Sequence, residues 1–191
     1  LSPLLLAGAA LARWHSPGPA LFRHRRVGLN GREFMMLKLR TMVAGADRGA
    51  ALTAKGDARI TPIGRFLRRS KLDELPQLVN VLRGEMSLEG PRPETPAVVA
   101  RYTPEQRLVL SVRPGITGPS QIRFRHEEES YPAGVDTEAY YMEAILPPKL
   151  ATDLEYIRTR TILRDLGYLC ETVLALARRA PRADAPCAGG R

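Results

Sequence analysis

The sequence TPIGRFLRRSKLDELPQLVNVLRG occupies residues 61–84 and predicts two consecutive helices. Thr61 followed by Pro62 favours a helix start, because a threonine side chain can cap free N–H groups and proline suits the first turn. Apolar residues then recur at helical spacing until Gly84 ends the second helix. These apolar residues are Leu75, Leu78, Val79 and Leu82.

Two adjacent acids, Asp73 and Glu74, fall at the predicted start of the second helix. Acids at a helix N-terminus satisfy free N–H groups and the helix dipole, and this structural role alone accounts for both residues. The basic residues before them also suit a phosphate-bearing substrate, if Mg²⁺ lies between the acids and the phosphate. A carboxylate can moreover act as a nucleophile. The residues alone leave both interpretations open.

A β-hairpin is predicted upstream, because Asn30-Gly31 separates two stretches with strand propensity, the second running from Phe34 to Leu39. The region is rich in arginine, which indicates either a solvated basic loop or attachment to anionic lipid. These arginines are Arg23, Arg25, Arg26 and Arg32.

The first twelve residues, LSPLLLAGAALA, are almost purely apolar but too few to cross a bilayer. They fit a signal peptide, a buried core helix or the second limb of a re-entrant membrane hairpin. A signal peptide is disfavoured, because the segment begins at Leu1 without a basic stretch, and the missing Met indicates a truncated chain. Arg13 and Trp14 are typical of a membrane interface.

The rest of the chain reads as short helices joined by stiff loops. GPRPETP and RPGITGPSQI are predicted to be extended or rigid loops, TPEQRLVLSV a short helix, and residues 136–164 mainly helical. A final helix over residues 166–177 carries an apolar stripe, and residues 178–191 read as a disordered basic tail. The stripe consists of Leu169, Val173, Leu174 and Leu176.

Composition limits the chemistry. A net charge of +9 over 191 residues favours an anionic partner, and 44% hydrophobic residues are typical of a globular chain. Two cysteines and three histidines show no spacing for a zinc site, a disulfide scaffold or a catalytic triad. The chemistry is therefore expected to rest on carboxylates and basic groups.

Several ordered segments resemble the bacterial sugar transferases, which are monotopic polyprenyl-phosphate phosphoglycosyl transferases. The segments are SPGPALFRHRRVGLNGREFMMLKLRTM, KLDELPQLVNVLRGEMSLEGPRP, RPGITGPSQI and LPPKLATDLEYIRTRTILRDL. The similarity covers residues 2–176, and the order DELPQL, GPRP and RPGITG is highly specific. One departure is Glu89, where most of the family has an aliphatic residue.

The resemblance implies an enzyme that transfers a sugar 1-phosphate from a UDP-sugar to a polyprenyl phosphate, usually undecaprenyl phosphate, and releases UMP. This reaction is the first membrane step in the assembly of exopolysaccharide, O-antigen or glycoprotein glycans. It implies that Asp73 is the nucleophile that forms a covalent phosphosugar intermediate. Glu74 would assist metal placement or the attack of the lipid phosphate, and Mg²⁺ would bind at these two acids.

The resemblance also assigns other positions. It implies that Lys38, Arg68 and Arg92 bind substrate phosphates. Two further candidate site residues are Asp165 and Gln121. Ser2-Pro3 resembles the bend of a membrane helix that enters and leaves the same leaflet, and Leu1 would then begin mid-helix, with the ascending limb missing.

We therefore expect an α+β, mainly helical fold, in which a truncated re-entrant membrane helix precedes a small cytosolic domain with a short β-hairpin and interfacial amphipathic helices. The expected parts are the re-entrant limb (1–15), the catalytic domain (16–177) and the tail (178–191). The expected location is the cytoplasmic face of a bacterial inner membrane, with anionic lipid as a partner and a homodimer compatible with the sequence.

Two other functional classes fit the charge. A basic nucleic-acid-binding module is disfavoured, because only 6% of residues are aromatic and no stacking or zinc-finger motif is present. A catalytically inert membrane-surface scaffold would need no carboxylate pair and should tolerate replacement of Asp73.

Overall fold

The computed structural model describes residues 13, 18–46, 53, 56–125, 127, 130–132 and 134–177. The strands are β1 (Leu21–Val27), β2 (Glu33–Leu39), β3 (Ser87–Glu89) and β4 (Gly115–Thr117). The α-helices are α1 (Pro62–Arg69), α2 (Gln77–Leu82), α3 (Pro96–Ala100), α4 (Pro119–Arg123), α5 (Thr137–Tyr140), α6 (Leu146–Thr159) and α7 (Ile162–Ala177). A π-helical turn covers Tyr141–Ile145, and 3-10 turns cover Leu29–Gly31, Leu72–Glu74 and Gln106–Ser111.

The fold combines helices with two small two-stranded sheets, which confirms the predicted mixed class with a β-hairpin. Of the predicted re-entrant limb, only Arg13 is described, so Ser2, Pro3 and the limb itself lie outside the described residues, as does the predicted tail at 178–191. None of the helices that the structure describes is both long and apolar enough to cross a bilayer.

The hairpin is antiparallel, with Leu21 opposite Leu39 and Val27 opposite Glu33. Asn30 adopts the left-handed conformation (φ 54°) at the turn, a conformation that asparagine tolerates better than most residues. The return strand begins at Glu33, one residue earlier than predicted. Phe34 and Met36 pack on one face against Met86.

The second sheet corrects the expectation of a rigid loop at residues 113–122. Gly115–Thr117 pairs in parallel with β3, and Pro119 then begins α4. A Cβ at Gly115 would overlap the backbone of Gly90, so glycine is required for the two segments to approach. Glycine and proline here mark a close backbone contact as well as a turn.

Helix α1 begins as predicted. The Thr61 hydroxyl accepts a hydrogen bond from the Gly64 N–H at 3.0 Å, and Pro62 occupies the first turn. Gly64 lies against the backbone of Thr41, where a Cβ would overlap the carbonyl. The helix is therefore held close to the segment that leaves β2.

Helix α2 differs from the prediction in its start and in its buried face. The α-helix begins only at Gln77, and the two acids lie in a separate 3-10 turn. Leu82, assigned to the apolar stripe, is 88% exposed, whereas the polar Gln77 and Asn80 are buried. The predicted stripe is therefore half-buried at Leu78 and Val79 and exposed at Leu82, and the fully buried positions of α2 are polar.

Asn80 is buried because it satisfies the free edge of β2. Its Oδ1 accepts the Leu37 N–H at 3.0 Å, and its Nδ2 donates to the Met35 carbonyl at 2.9 Å. Nδ2 also donates to Glu85 at 2.7 Å. A buried amide with these partners joins the hairpin to α2, which follows the two acids.

The C-terminal helix also differs from the prediction. α7 begins at Ile162, four residues before the predicted start, and Val173 and Leu174 of the predicted stripe are 66% and 52% exposed. The larger apolar cluster instead lies between β1, the segment around α3 and the turn into α6. Its buried members are Val27, Val99, Tyr102, Val109, Tyr141, Ile145, Leu146 and Leu150.

Asn80→Ala is expected to lower the free energy of unfolding by about 3 kcal/mol, because it leaves the buried N–H of Leu37 and the partly buried carbonyl of Met35 unpaired. Chemical denaturation followed by circular dichroism measures this. Gln106→Ala is the matched control, since its bonds to Thr103 are exposed, and it should cost less than about 1 kcal/mol. Equal losses in the two variants would contradict the assigned role of Asn80.

Candidate active site

The two acids lie in the 3-10 turn between α1 and α2. Lys71, just before the turn, adopts the left-handed conformation (φ 57°) and separates the turn from α1. Asp73 and Glu74 are 6% and 7% exposed. A capping role alone does not require acids to be buried. The chemistry that these two acids can perform therefore depends on the side chains around them.

Glu74 is held by three cationic side chains. Its Oε1 lies 2.9 Å from Lys38 Nζ, 3.5 Å from Arg92 Nη2 and 3.9 Å from Lys71 Nζ. Burial by itself raises the pKa of Glu74, but the attraction of Lys38, Arg92 and Lys71 outweighs it and lowers the pKa well below the usual range. Glu74 is therefore ionised at neutral pH.

Asp73 has a different environment, although it is the next residue. Its Oδ1 is buried and has no hydrogen-bond partner among the described residues. Burial raises the pKa of Asp73, and the charge of Glu74 adds to this rise, while Lys38, Lys71 and Arg68 oppose it. An oxygen without a donor in a cationic setting is available to an incoming electrophile or cation.

The two nearest cationic groups come from different parts of the fold. Lys38 lies on β2, and Arg92 follows β3. Burial lowers the pKa of Lys38, and its contact with Glu74 opposes this. For Arg92, burial also acts to lower the pKa, but Glu74, Glu94 and Glu127 outweigh it and raise the pKa. The structure thus brings Lys38, Arg92 and both acids together.

Arg68 and Gln121 border this group. Arg68 Nε donates to the Thr41 hydroxyl at 2.9 Å, and its charge lowers the pKa of Asp73. Gln121 Nε2 donates to the Gly90 carbonyl at 3.4 Å, two residues before Arg92. Arg68 therefore acts on the site by its charge, and Gln121 supports the loop that carries Arg92.

Asp165 lies in a different place. It is on α7, where its carboxylate accepts a hydrogen bond from Tyr156 at 2.8 Å. It lines a groove of about 510 Å³ with Glu89, whose two carboxylate oxygens are buried without a hydrogen-bond partner in the described part of the chain. Burial, together with Asp165 and Glu171, raises the pKa of Glu89 to about 7. Glu89, which replaces the aliphatic residue expected at this position, therefore places a carboxyl group in the groove.

Two residues at the site were not selected from the sequence. Glu94 is buried and accepts hydrogen bonds from Tyr141 at 2.6 Å and from Arg26 at 3.3 Å, so it adds negative charge behind Arg92. His24 lies on β1, where burial and the charges of Arg26, Lys38 and Arg92 lower its pKa. Only the register of the hairpin, which the sequence did not supply, could have placed His24 here.

The donor set fits a divalent cation in part. Within the described residues, Asp73 Oδ1 has no hydrogen-bond partner, and Oε1 of Glu74 makes the contacts with Lys38, Lys71 and Arg92. The described residues contain no cluster of three or more His, Cys, Asp or Glu side chains that could hold a metal alone. Two carboxylates suit Mg²⁺, which commonly takes one or two carboxylates and completes its shell with substrate phosphate and water.

A family model of the bacterial sugar transferases matches residues 1–179. The chain belongs to the bacterial sugar transferase family. It is 42% identical to a UDP-glucose:undecaprenyl-phosphate glucose-1-phosphate transferase of Caulobacter vibrioides over 179 residues, which covers 92% of this chain and 63% of the relative.

Other relatives in this family are named for different sugars. The chain is 36% identical to an Aeromonas hydrophila UDP-N-acetylgalactosamine-undecaprenyl-phosphate N-acetylgalactosaminephosphotransferase, over 90% of this chain and 38% of the relative. It is 35% identical to a Salmonella typhimurium undecaprenyl-phosphate galactose phosphotransferase, over 85% of this chain and 34% of the relative. The chain thus spans less than two thirds of the length of each of these relatives.

Glu89→Gln should change how stability depends on pH. The pKa of Glu89 is about 7 in the folded chain against an ordinary value of 4.5, so the folded state binds this proton more tightly. Proton binding by Glu89 therefore stabilises the folded wild type at low pH, and this stabilisation is lost as pH rises from about 4.5 through 7. The variant has no such proton to lose. We expect the difference in unfolding free energy to move in favour of the variant by on the order of 2 kcal/mol between pH 4.5 and pH 8.

Urea denaturation at several pH values measures this difference. Glu143→Gln, which changes an exposed acid in the π-helical turn Tyr141–Ile145, is the control and should show no comparable change. A difference between wild type and Glu89→Gln that stays constant with pH would contradict the raised pKa.

Proposed function

We propose that this chain transfers a sugar 1-phosphate from a UDP-sugar to a polyprenyl phosphate, with release of UMP. The observation that carries the proposal is the buried Oδ1 of Asp73, which has no hydrogen-bond partner in the part of the chain that the structure describes and lies beside Glu74, Lys38 and Arg92. The relatives support the substrate class, since their names specify undecaprenyl phosphate and three different sugars. Together they favour phosphoryl-group chemistry at a buried carboxylate.

In the first half-reaction, an Asp73 carboxylate oxygen attacks the phosphorus that carries the sugar. A P–O bond forms to Asp73, and the bond between that phosphorus and the bridging oxygen of the diphosphate breaks, so UMP leaves with the electron pair. Lys38 and Arg92 neutralise the diphosphate and stabilise the charge that develops on UMP. No proton has to be transferred in this step.

In the second half-reaction, an oxygen of the polyprenyl phosphate attacks the same phosphorus. The acyl phosphate bond to Asp73 breaks, and the carboxylate is regenerated as the lipid diphosphate sugar forms. Because the same cations face the phosphorus in both steps, one site serves both half-reactions. Glu74 keeps these cations in position through its contacts with Lys38, Arg92 and Lys71.

Mg²⁺ is part of the proposal, with Asp73 and Glu74 as the side chains that would hold it. It would supply positive charge between the carboxylates and the diphosphate. Glu74, which is ionised at neutral pH, keeps negative charge at the site for such an ion.

A membrane location completes the proposal, because the lipid acceptor has to reach Asp73 from a bilayer. We propose that the chain works at the cytoplasmic face of a bacterial inner membrane, that it binds anionic lipid through its basic hairpin and enters the bilayer through the predicted re-entrant limb at residues 1–15, and that it forms a homodimer. Arg23, Arg25 and Arg32 are exposed on this hairpin and are available to lipid phosphates.

Asp73→Asn should abolish transfer, because a neutral amide cannot form the acyl phosphate. UMP release from UDP-sugars should fall by on the order of a thousandfold or more. A screen of UDP-glucose, UDP-galactose and UDP-N-acetylgalactosamine with membranes containing undecaprenyl phosphate measures the release. Asp136→Asn is the control, since Asp136 is exposed at the start of α5 and asparagine is an equally good cap. Full activity of Asp73→Asn would contradict the assignment of Asp73 as the nucleophile.

Removal of divalent metal should stop UMP release, because Lys38, Lys71 and Arg92 already pair with Glu74 and the proposal places Mg²⁺ between the two acids and the diphosphate. EDTA should abolish turnover, and an excess of Mg²⁺ should restore it in the same sample. Undiminished turnover in EDTA would contradict the proposed role of Mg²⁺ and leave the nucleophile to be tested separately.

A further inference from the structure

The face of the hairpin that carries Lys38 also carries two aromatic side chains. Phe22 on β1 is directly opposite Lys38 on β2, and His24 follows two residues along the same face. Opposite residues on one face of an antiparallel pair have Cβ atoms ~5 Å apart. Phe22 therefore neighbours, on the same face of the hairpin, the lysine whose Nζ contacts Glu74.

The Phe22 and His24 rings lie against each other on this face of the hairpin, and we call them the aromatic wall. Their centroids are 5.6 Å apart and their planes meet at 57°. Phe22 is 36% exposed, and His24 is half-buried behind it. An exposed aromatic ring beside phosphate-binding cations is the combination by which proteins hold nucleotides, since a base stacks on the ring while cations take the phosphates.

The chemical state of His24 is fixed by its neighbours. Burial, Arg26, Lys38 and Arg92 lower its pKa to about 4, so the imidazole is neutral at pH 7. Arg26 Nη2 lies 3.2 Å from His24 Nδ1. Because a guanidinium can only donate, Nδ1 accepts, and the proton of the neutral ring is on Nε2. His24 thus offers an N–H donor at the wall.

We propose that Phe22 and His24 form the nucleobase subsite of the donor, with the uracil stacked on Phe22 and one of its carbonyl oxygens accepting from His24 Nε2–H. This inference rests on the proposed function, because it places the base next to the diphosphate held by Lys38 and Arg92. The base end of the donor then lies along β1, and the sugar end points away from the hairpin, past Asp73.

The test compares UMP with ribose 5-phosphate, which keeps the phosphate and ribose but lacks the base. Isothermal titration calorimetry on the full chain in lipid nanodiscs gives both dissociation constants. The wild type should bind UMP on the order of tenfold more tightly. Phe22→Leu should remove most of this preference and leave ribose 5-phosphate binding unchanged. Phe66→Leu, at another exposed phenylalanine, is the matched control and should keep the preference.

His24 is tested in the same way. His24→Leu should weaken UMP binding without affecting ribose 5-phosphate, and His24→Gln should restore part of the loss, because glutamine retains an N–H donor. A packing role for His24 would instead change both ligands together.

Saturation-transfer NMR on the wild type adds a measurement that needs no variant. The uracil protons of UMP should receive saturation from the aromatic side chains. Equal wild-type affinity for UMP and ribose 5-phosphate would overturn the inference, as would an unchanged preference in Phe22→Leu. If UMP release by the enzyme persists in either case, the proposed function stands without this subsite. Absence of both nucleotide binding and turnover would refute the proposed function itself.

Discussion

The contact on which the site depends is the buried ion pair between Lys38 and Glu74, 2.9 Å apart. It joins a β-strand to a 3-10 turn that lies 36 residues further along the chain. Removing one partner of such a buried pair leaves an uncompensated charge, which costs about 3–5 kcal/mol. The fold therefore requires both partners once one is present, and the pair also decides where positive charge faces the neighbouring Asp73.

This ion pair also separates the two acids chemically. Glu74 contacts the cationic side chains, and its pKa is lowered. Asp73 has a carboxylate oxygen with no hydrogen-bond partner among the residues that the structure describes, and its pKa is raised. Adjacent carboxylates whose pKa values are moved in opposite directions are typical of a division of roles in catalysis. In the proposed reaction, Glu74 organises the charge and Asp73 bonds to phosphorus.

The sequence allowed part of this to be predicted. The hairpin turn, the Thr61 cap and the carboxylate pair followed from local signals, and the resemblance supplied Lys38, Arg68 and Arg92. The buried face of α2 could not be read from leucine spacing, because the decisive contacts of Asn80 are with a strand more than forty residues away. Likewise, Gly115 read as a turn residue, although its small size serves a close backbone approach to Gly90.

The other differences between the predicted and the observed site also arise from contacts between segments that are distant in the sequence. His24 and Glu94 belong to the site only because the hairpin register and the loop after β3 bring them to Lys38 and Arg92. Asp165, a further candidate site residue from the sequence, lies on α7 near Tyr156 and Glu89. Pairwise distances of this kind depend on tertiary contacts that local patterns do not encode.

The most direct measurement of the central claim is intact-protein and peptide mass spectrometry after mixing the chain with its UDP-sugar and no lipid acceptor. The account predicts a mass increase of one sugar phosphate that maps to Asp73 and disappears when polyprenyl phosphate is added. Turnover without any adduct, or an adduct on a different residue, would contradict it.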